Sequence, residues 1–130
     1  MTSVDTNVVV RFLIRDIPAQ AAKAIRLLEG TQCYITDVVI TETIFVLEKV
    51  YAADRNDIAA TIKGLVFRPN LRCNRDLITS VLDLYKQRRS LSIIDCYAAI
   101  ESKTFGNDLA TFDRDLLKHG GSHVIEPLLK

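Results

Sequence analysis

Tryptophan is absent, methionine occurs once, and only three prolines, five glycines and three cysteines are found among 130 residues. The cysteines, at 33, 73 and 96, are odd in number and lack C-x-x-C spacing. That argues against a disulfide framework or a zinc knuckle and fits a reducing compartment. No apolar stretch approaches the roughly 18 residues that a bilayer-spanning helix needs. Arg11 and Arg15 interrupt the one N-terminal candidate for a leader, so neither a secretory signal nor a membrane is expected, and the chain reads as cytoplasmic. Neither sign of charge dominates: 17 Lys and Arg face 16 Asp and Glu, and composition names no polyanionic partner. The glycine motifs of phosphate loops and dinucleotide folds are missing, as are repeats and low-complexity segments.

What is present is an ordinary globular mixture, 48% hydrophobic and 25% charged, sufficient for one domain over residues 1–130 with its own core. A short strand around Ser3–Asp5 is expected to feed a helix over Asn7–Arg15. Asp16-Ile17-Pro18 has the form of an N-cap and an early-helix proline for a second helix ending at Gly30. Gln32–Thr36 alternates as a strand does, and Thr36 or Asp37 can cap a third helix running to about Tyr51. Asp54 starts a fourth helix, which Pro69 and Asn70 break, and Asn74 caps a fifth with a clear apolar stripe from Leu77 to Tyr85. Ser92 opens a sixth over Ile93–Thr104. A strand over Leu109–Thr111, a short helix to His119 and a last strand over His123–Ile125 complete the chain. Such alternation predicts an α/β fold, a three-layer α/β/α sandwich with a mainly parallel central sheet. Ligands bind such sheets outside the carboxyl ends of the strands.

Four carboxylates draw attention against this frame. Asp5 and Asp113 fall at expected strand ends, although each could equally cap the helix that follows. Glu42 has Val38, Val39, Phe45 and Val46 as its helical neighbours, so it is expected to project from a buried face. A carboxylate there must be paired or bound to a metal. Asp95 completes the capping box of Ser92-Ile93-Ile94-Asp95, yet Ala98 and Ala99 beyond it would let another element approach. Two unit charges about 4 Å apart repel by about 4 kcal/mol at an effective dielectric near 20. Converging carboxylates therefore take up a proton or a divalent cation. An all-carboxylate set suits Mg²⁺ or Mn²⁺ in preference to zinc, and the chemistry such ions serve best is phosphodiester hydrolysis.

The stretches "VDTN", "TE" within "DVVITETIFVLEKV", "SIIDCYAAI" and "LATFDRDL", in this order, resemble the PIN-domain ribonucleases over almost the whole chain. The short length is most similar to the VapC-type toxins of toxin–antitoxin pairs. The resemblance implies that Asp5, Glu42, Asp95 and Asp113 form an acidic site for Mg²⁺ or Mn²⁺. It places Thr6, Asn7 and Thr111 as polar residues lining that site and Asp115 as an outer participant. It further implies an endoribonuclease acting on RNA, a small antitoxin as partner, and a homodimer. Thr2 and Ser3 stand where the family more often has apolar residues, so the first strand is expected to be short, and Cys96 replaces a common alanine.

His119 and His123 have metal-ligand spacing, but Gly120 and Gly121 between them argue against a continuous helix. The run Lys86–Ser90 reads as a solvated helix end, whereas Arg11, Arg15 and Arg114 flank the expected site and are candidates for substrate or antitoxin contacts. Tyr97 could stack on a base or pack in the core. Competing readings are a housekeeping RNA-processing nuclease, and a non-catalytic binding module whose carboxylates only cap helices. An aspartyl-phosphate hydrolase fits poorly, because Asn7 stands where its second aspartate belongs.

Overall fold

The computed structural model describes residues 1–128, and the chain divides into two units, Met1–Arg75 and the segment from Asp76 onward.

In the first unit, β1 (Thr2–Ser3) pairs in parallel with β2 (Cys33–Tyr34), and β2 with β3 (Leu71–Arg72). The register sets Thr2 opposite Cys33 and Cys33 opposite Leu71. Each strand is two residues long, but Val4 N–H donates to Tyr34 O at 3.1 Å and Ile35 N–H to Arg72 O at 2.9 Å. The ladder thus runs up to the residue before Asp5. The third strand, β3, was not foreseen in the sequence.

Helices fill the connections. α1 (Thr6–Ile14) packs on α2 (Pro18–Gly30) and on α3 (Asp37–Lys49), and α3 in turn meets α4 (Arg55–Val66). Pro18 opens α2, where a missing N–H leaves no bond unmade. Asp16 is not its N-cap: Ile17 holds that position without a side-chain bond, while Asp16 accepts from Arg11 and Tyr51. Thr36 caps α3 by accepting from Val39 N–H at 3.2 Å. Asp54 caps α4, whose Ile58, Ile62, Leu65 and Val66 are all buried as their spacing predicts. After α4, Asn70 donates to the carbonyls of Leu28 and Thr31, tying the end of α2 to the turn that enters β3. Arg15 closes α1 in the left-handed conformation at φ 60°, and its Nε compensates by donating to Phe12 O at 3.0 Å.

The second unit holds nearly all of α5 (Arg75–Gln87), whose stripe of Leu77, Ile78, Val81, Leu82 and Tyr85 is buried throughout. There follow α6 (Ile93–Thr104), β4 (Leu109–Ala110), α7 (Arg114–His119) and β5 (Val124–Ile125). β4 and β5 pair in parallel, Leu109 opposite Val124. α6 lies on β4 and α7 on β5. Gly120 lets α7 turn into β5, since any Cβ there would stand 2.7 Å from Leu116 O and 2.9 Å from a methyl of Val124. The whole is a helix-rich α/β fold in which every strand pair among the described residues is parallel.

Candidate active site

Asp5 follows the β1 ladder and is the N-cap of α1, its Oδ1 accepting from Val8 N–H at 3.2 Å. Thr6 and Asn7 lie inside the helix that Asp5 caps. Thr6 is buried, and its hydroxyl donates to Oε1 of Glu42 on α3. Together Asp5, Thr6, Asn7, Val39, Glu42 and Val46 line a cleft of about 340 Å³. It offers carboxylate, hydroxyl and amide oxygens and no sulfur or imidazole, a donor set fitted to a hard divalent cation.

Glu42 does not project into the core. It is exposed, and Val38 and Phe45 beside it are themselves 74% and 49% exposed. The buried side of α3 is formed instead by Ile40, Thr41, Thr43, Ile44 and Leu47. Glu42 is thus oriented by the Thr6 hydroxyl at the cleft wall and not by an enclosed ion pair.

A second cleft, of about 370 Å³, shares Asp5 and Asn7 with the first and continues between α1 and α2 past Val8, Arg11, Lys23 and Leu27. Arg11 is fixed there: its Nε donates to Gln20 Oε1 at 2.9 Å, and its NH1 reaches Asp16 Oδ1 and the Tyr51 hydroxyl, each at 3.1 Å. Tyr51 closes the network by donating to Asp16 Oδ2 at 2.9 Å. Sequence reading picked out Arg11 but neither Lys23 nor Gln20, because their place in a cleft depends on the pairing of two helices.

In the second unit, Asp95 and Ser92 form the expected capping box, with Asp95 Oδ2 accepting from Ser92 N–H at 3.2 Å and Ser92 Oγ from Asp95 N–H at 3.1 Å. Asp95 is half-buried. Asp113 caps α7 through Oδ1, which accepts from Leu116 N–H at 2.9 Å, and its own N–H donates to Thr111 Oγ1 at 3.0 Å. Asp115 is exposed in the first turn of α7. Arg114, also exposed, is paired with Glu126 at 3.2 Å. His123 Nε2 stands 2.7 Å from Ala99 O and 3.1 Å from Ser102 Oγ, a structural tie to α6.

Among the described residues no three His, Cys, Asp or Glu side chains are grouped as metal ligands. None of the three cysteines forms a disulfide among the described residues. Burial pushes the Cys33 and Cys73 thiols above their usual range, in Cys73 against the opposing pull of Arg75. No helix among the described residues is long and apolar enough to cross a membrane.

Compared with known proteins, the chain matches the family model of the PIN domain over residues 3–121, a span that takes in residues of both units. Neither the curated proteins nor the solved structures gave a match. With 3–121 of 130 residues accounted for by one family, the chain belongs to the PIN-domain proteins, which are in general metal-dependent nucleases acting on RNA.

Proposed function

We propose that the protein is a metal-dependent endoribonuclease, the toxin of a toxin–antitoxin pair, that acts in the cytoplasm with residues 1–130 as one functional domain. The observation that carries this reading is the cleft in which Asp5 and Glu42 meet Thr6 and Asn7. Asp5 and Glu42 would hold Mg²⁺ or Mn²⁺, with Asp95 and Asp113 as the further acidic groups required for activity. The ion, when bound, supplies a polarised water and offsets the charge that builds on the phosphoryl oxygens. The residues of the chain do the positioning. The Thr6 hydroxyl holds Glu42 in one orientation, the Val8 N–H holds Asp5, and the Asn7 amide can hydrogen-bond a phosphate oxygen or a water at the cleft. In the same reading Thr111 steadies Asp113, Asp115 acts at the periphery, a small antitoxin covers the acidic cleft, and the active form is a homodimer.

A second reading has an observation of its own. Asp5, Asp95 and Asp113 all accept capping hydrogen bonds, as they would in a non-catalytic module. RNA cleavage assayed with Mg²⁺ or Mn²⁺, with EDTA, and with Glu42→Gln separates the two. Glu42 caps no helix, so a mere capping role predicts no effect of that substitution. Cleavage is expected only from the wild type with metal, and its induced expression should arrest growth where that of Glu42→Gln does not. Cleavage that persists in EDTA, or in Glu42→Gln at the wild-type rate, would overturn the proposal.

A further inference from the structure

We infer that the cleft between α1 and α2 is a nucleotide subsite, taking the residue of RNA next to the scissile phosphate with its base against Val8 and Leu27 and a phosphate on Lys23. This inference rests on the ribonuclease reading and goes beyond it by assigning residues that the acidic site does not include. Three observations carry it. First, the two clefts share Asp5 and Asn7, so a strand whose phosphate lies at the carboxylates continues directly into the second cleft. At about 370 Å³ that cleft sits at the low end of small-ligand sites, which run from about 300 to 1,000 Å³, and it suits one nucleotide.

Second, it carries at Lys23 a cationic group that the acidic cleft lacks. Arg11 is already neutralised by Asp16 at 3.1 Å. Lys23 makes no ion pair among the described residues and stands exposed at the cleft. An unpaired ammonium is a compact charge well suited to a phosphate oxygen. Third, the lining pairs apolar side chains, which a flat base can cover, with amide groups at the edge. Because arginine can only donate, the Gln20 oxygen must face Arg11, leaving the Gln20 NH₂ to donate to a base carbonyl. Arg11, held at three points by Gln20, Asp16 and Tyr51, keeps that amide in place.

The test uses the whole chain and substitutions at Lys23, an exposed position whose loss leaves the fold intact. In cleavage of a mixed-sequence RNA oligonucleotide, Lys23→Gln is expected to raise KM about tenfold, with kcat within about twofold, and Lys23→Arg to restore KM. In EDTA, anisotropy of a labelled RNA strand should show the slope of log K against log salt shallower by about 0.7 in Lys23→Gln, the loss of one phosphate contact on a single strand. NMR titration in EDTA with uridine monophosphate should shift the backbone amides of Val8 and Leu27, while inorganic phosphate alone should leave them unmoved. If the wild type cleaves RNA and Lys23→Gln matches it in KM and salt slope, the subsite is wrong and the ribonuclease reading stands. Shifts at Val8 and Leu27 from phosphate alone would likewise overturn the placement of the base. Absence of metal-dependent cleavage by the wild type overturns both.

Discussion

Asp5 is asked to do two things, to cap α1 and to hold a metal ion, and two substitutions separate them. Asparagine caps a helix about as well as aspartate, whereas alanine loses the cap at about 1 kcal/mol, within a range of roughly 0.5–2. Unfolding entropy of about 2.1 cal/mol/K per residue gives a chain of 130 residues about 0.27 kcal/mol/K, so a lost cap lowers Tm by about 4 °C. Asp5→Asn should therefore keep the wild-type Tm in EDTA, and Asp5→Ala should lose those few degrees, because the Val8 N–H is left without its 3.2 Å partner. Removing the charge of Asp5 beside Glu42 also relieves repulsion in the metal-free cleft, which if anything favours Asp5→Asn. Addition of Mg²⁺ or Mn²⁺ should raise the Tm of the wild type, by about 2.7 kcal/mol of stability at a hundredfold excess over Kd. It should leave both variants unmoved, and neither should cleave RNA. Differential scanning fluorimetry with and without metal, read beside a cleavage gel, gives all of these quantities. A metal-induced rise in Asp5→Asn equal to that of the wild type would refute the ligand role. An Asp5→Asn protein as unstable in EDTA as Asp5→Ala would refute the capping argument.

Two further outcomes follow from packing and ionisation. Gly120→Ala brings a methyl to 2.7 Å from Leu116 O and 2.9 Å from Val124, and overpacking of that kind should lower stability by about 1–3 kcal/mol in urea unfolding with an unchanged m-value. Burial raises the folded-state pKa of Cys33 and Cys73, so their contribution to stability is complete below the unfolded thiol's value of about 8.5 and is lost as pH rises beyond it. The fall in Tm from pH 8 to pH 10 should accordingly be smaller in Cys33→Ala than in the wild type; an equal fall would refute the assignment.

What the sequence made legible was what depends on neighbours along the chain. α6 was foreseen from Ile93 to Thr104 because Ser92 and Asp95 satisfy each other's backbone groups within one turn. The ends of α2 at Pro18 and Gly30 are equally local. β3 was missed for the opposite reason: two residues carry no period, and its existence depends on Cys33, thirty-eight positions upstream of Leu71. The misplacement of Glu42 is more instructive. α3 carries apolar residues on two arcs, and periodicity alone cannot say which is buried. The arc with fewer obvious core residues won because Thr41 and Thr43 return their hydroxyls to the carbonyls of Val38 and Val39, at 3.0 and 2.7 Å. Satisfied in this way, threonine enters a core at little cost. Val38 and Phe45, which looked like core, are left outside around Glu42.

The ambiguity between cap and ligand has a different source, for the two roles share a geometry. A capping carboxylate uses one oxygen on a backbone N–H: Oδ1 in Asp5 and Asp113, Oδ2 in Asp95. That bond fixes the side-chain rotamer and leaves the second oxygen pointing in a defined direction, so an ion meeting it finds the conformational entropy already lost. At the start of α1 and of α6 the helix dipole also favours the ionised form that a cation needs. Glu42 sits mid-helix and has no such device, and the Thr6 hydroxyl performs the same service from α1. A residue type suited to capping is therefore the residue type best prepared to ligate. The sequence pattern D-x-x-hydrophobic cannot separate the two roles, because in the proposed ribonuclease the first would be the means to the second.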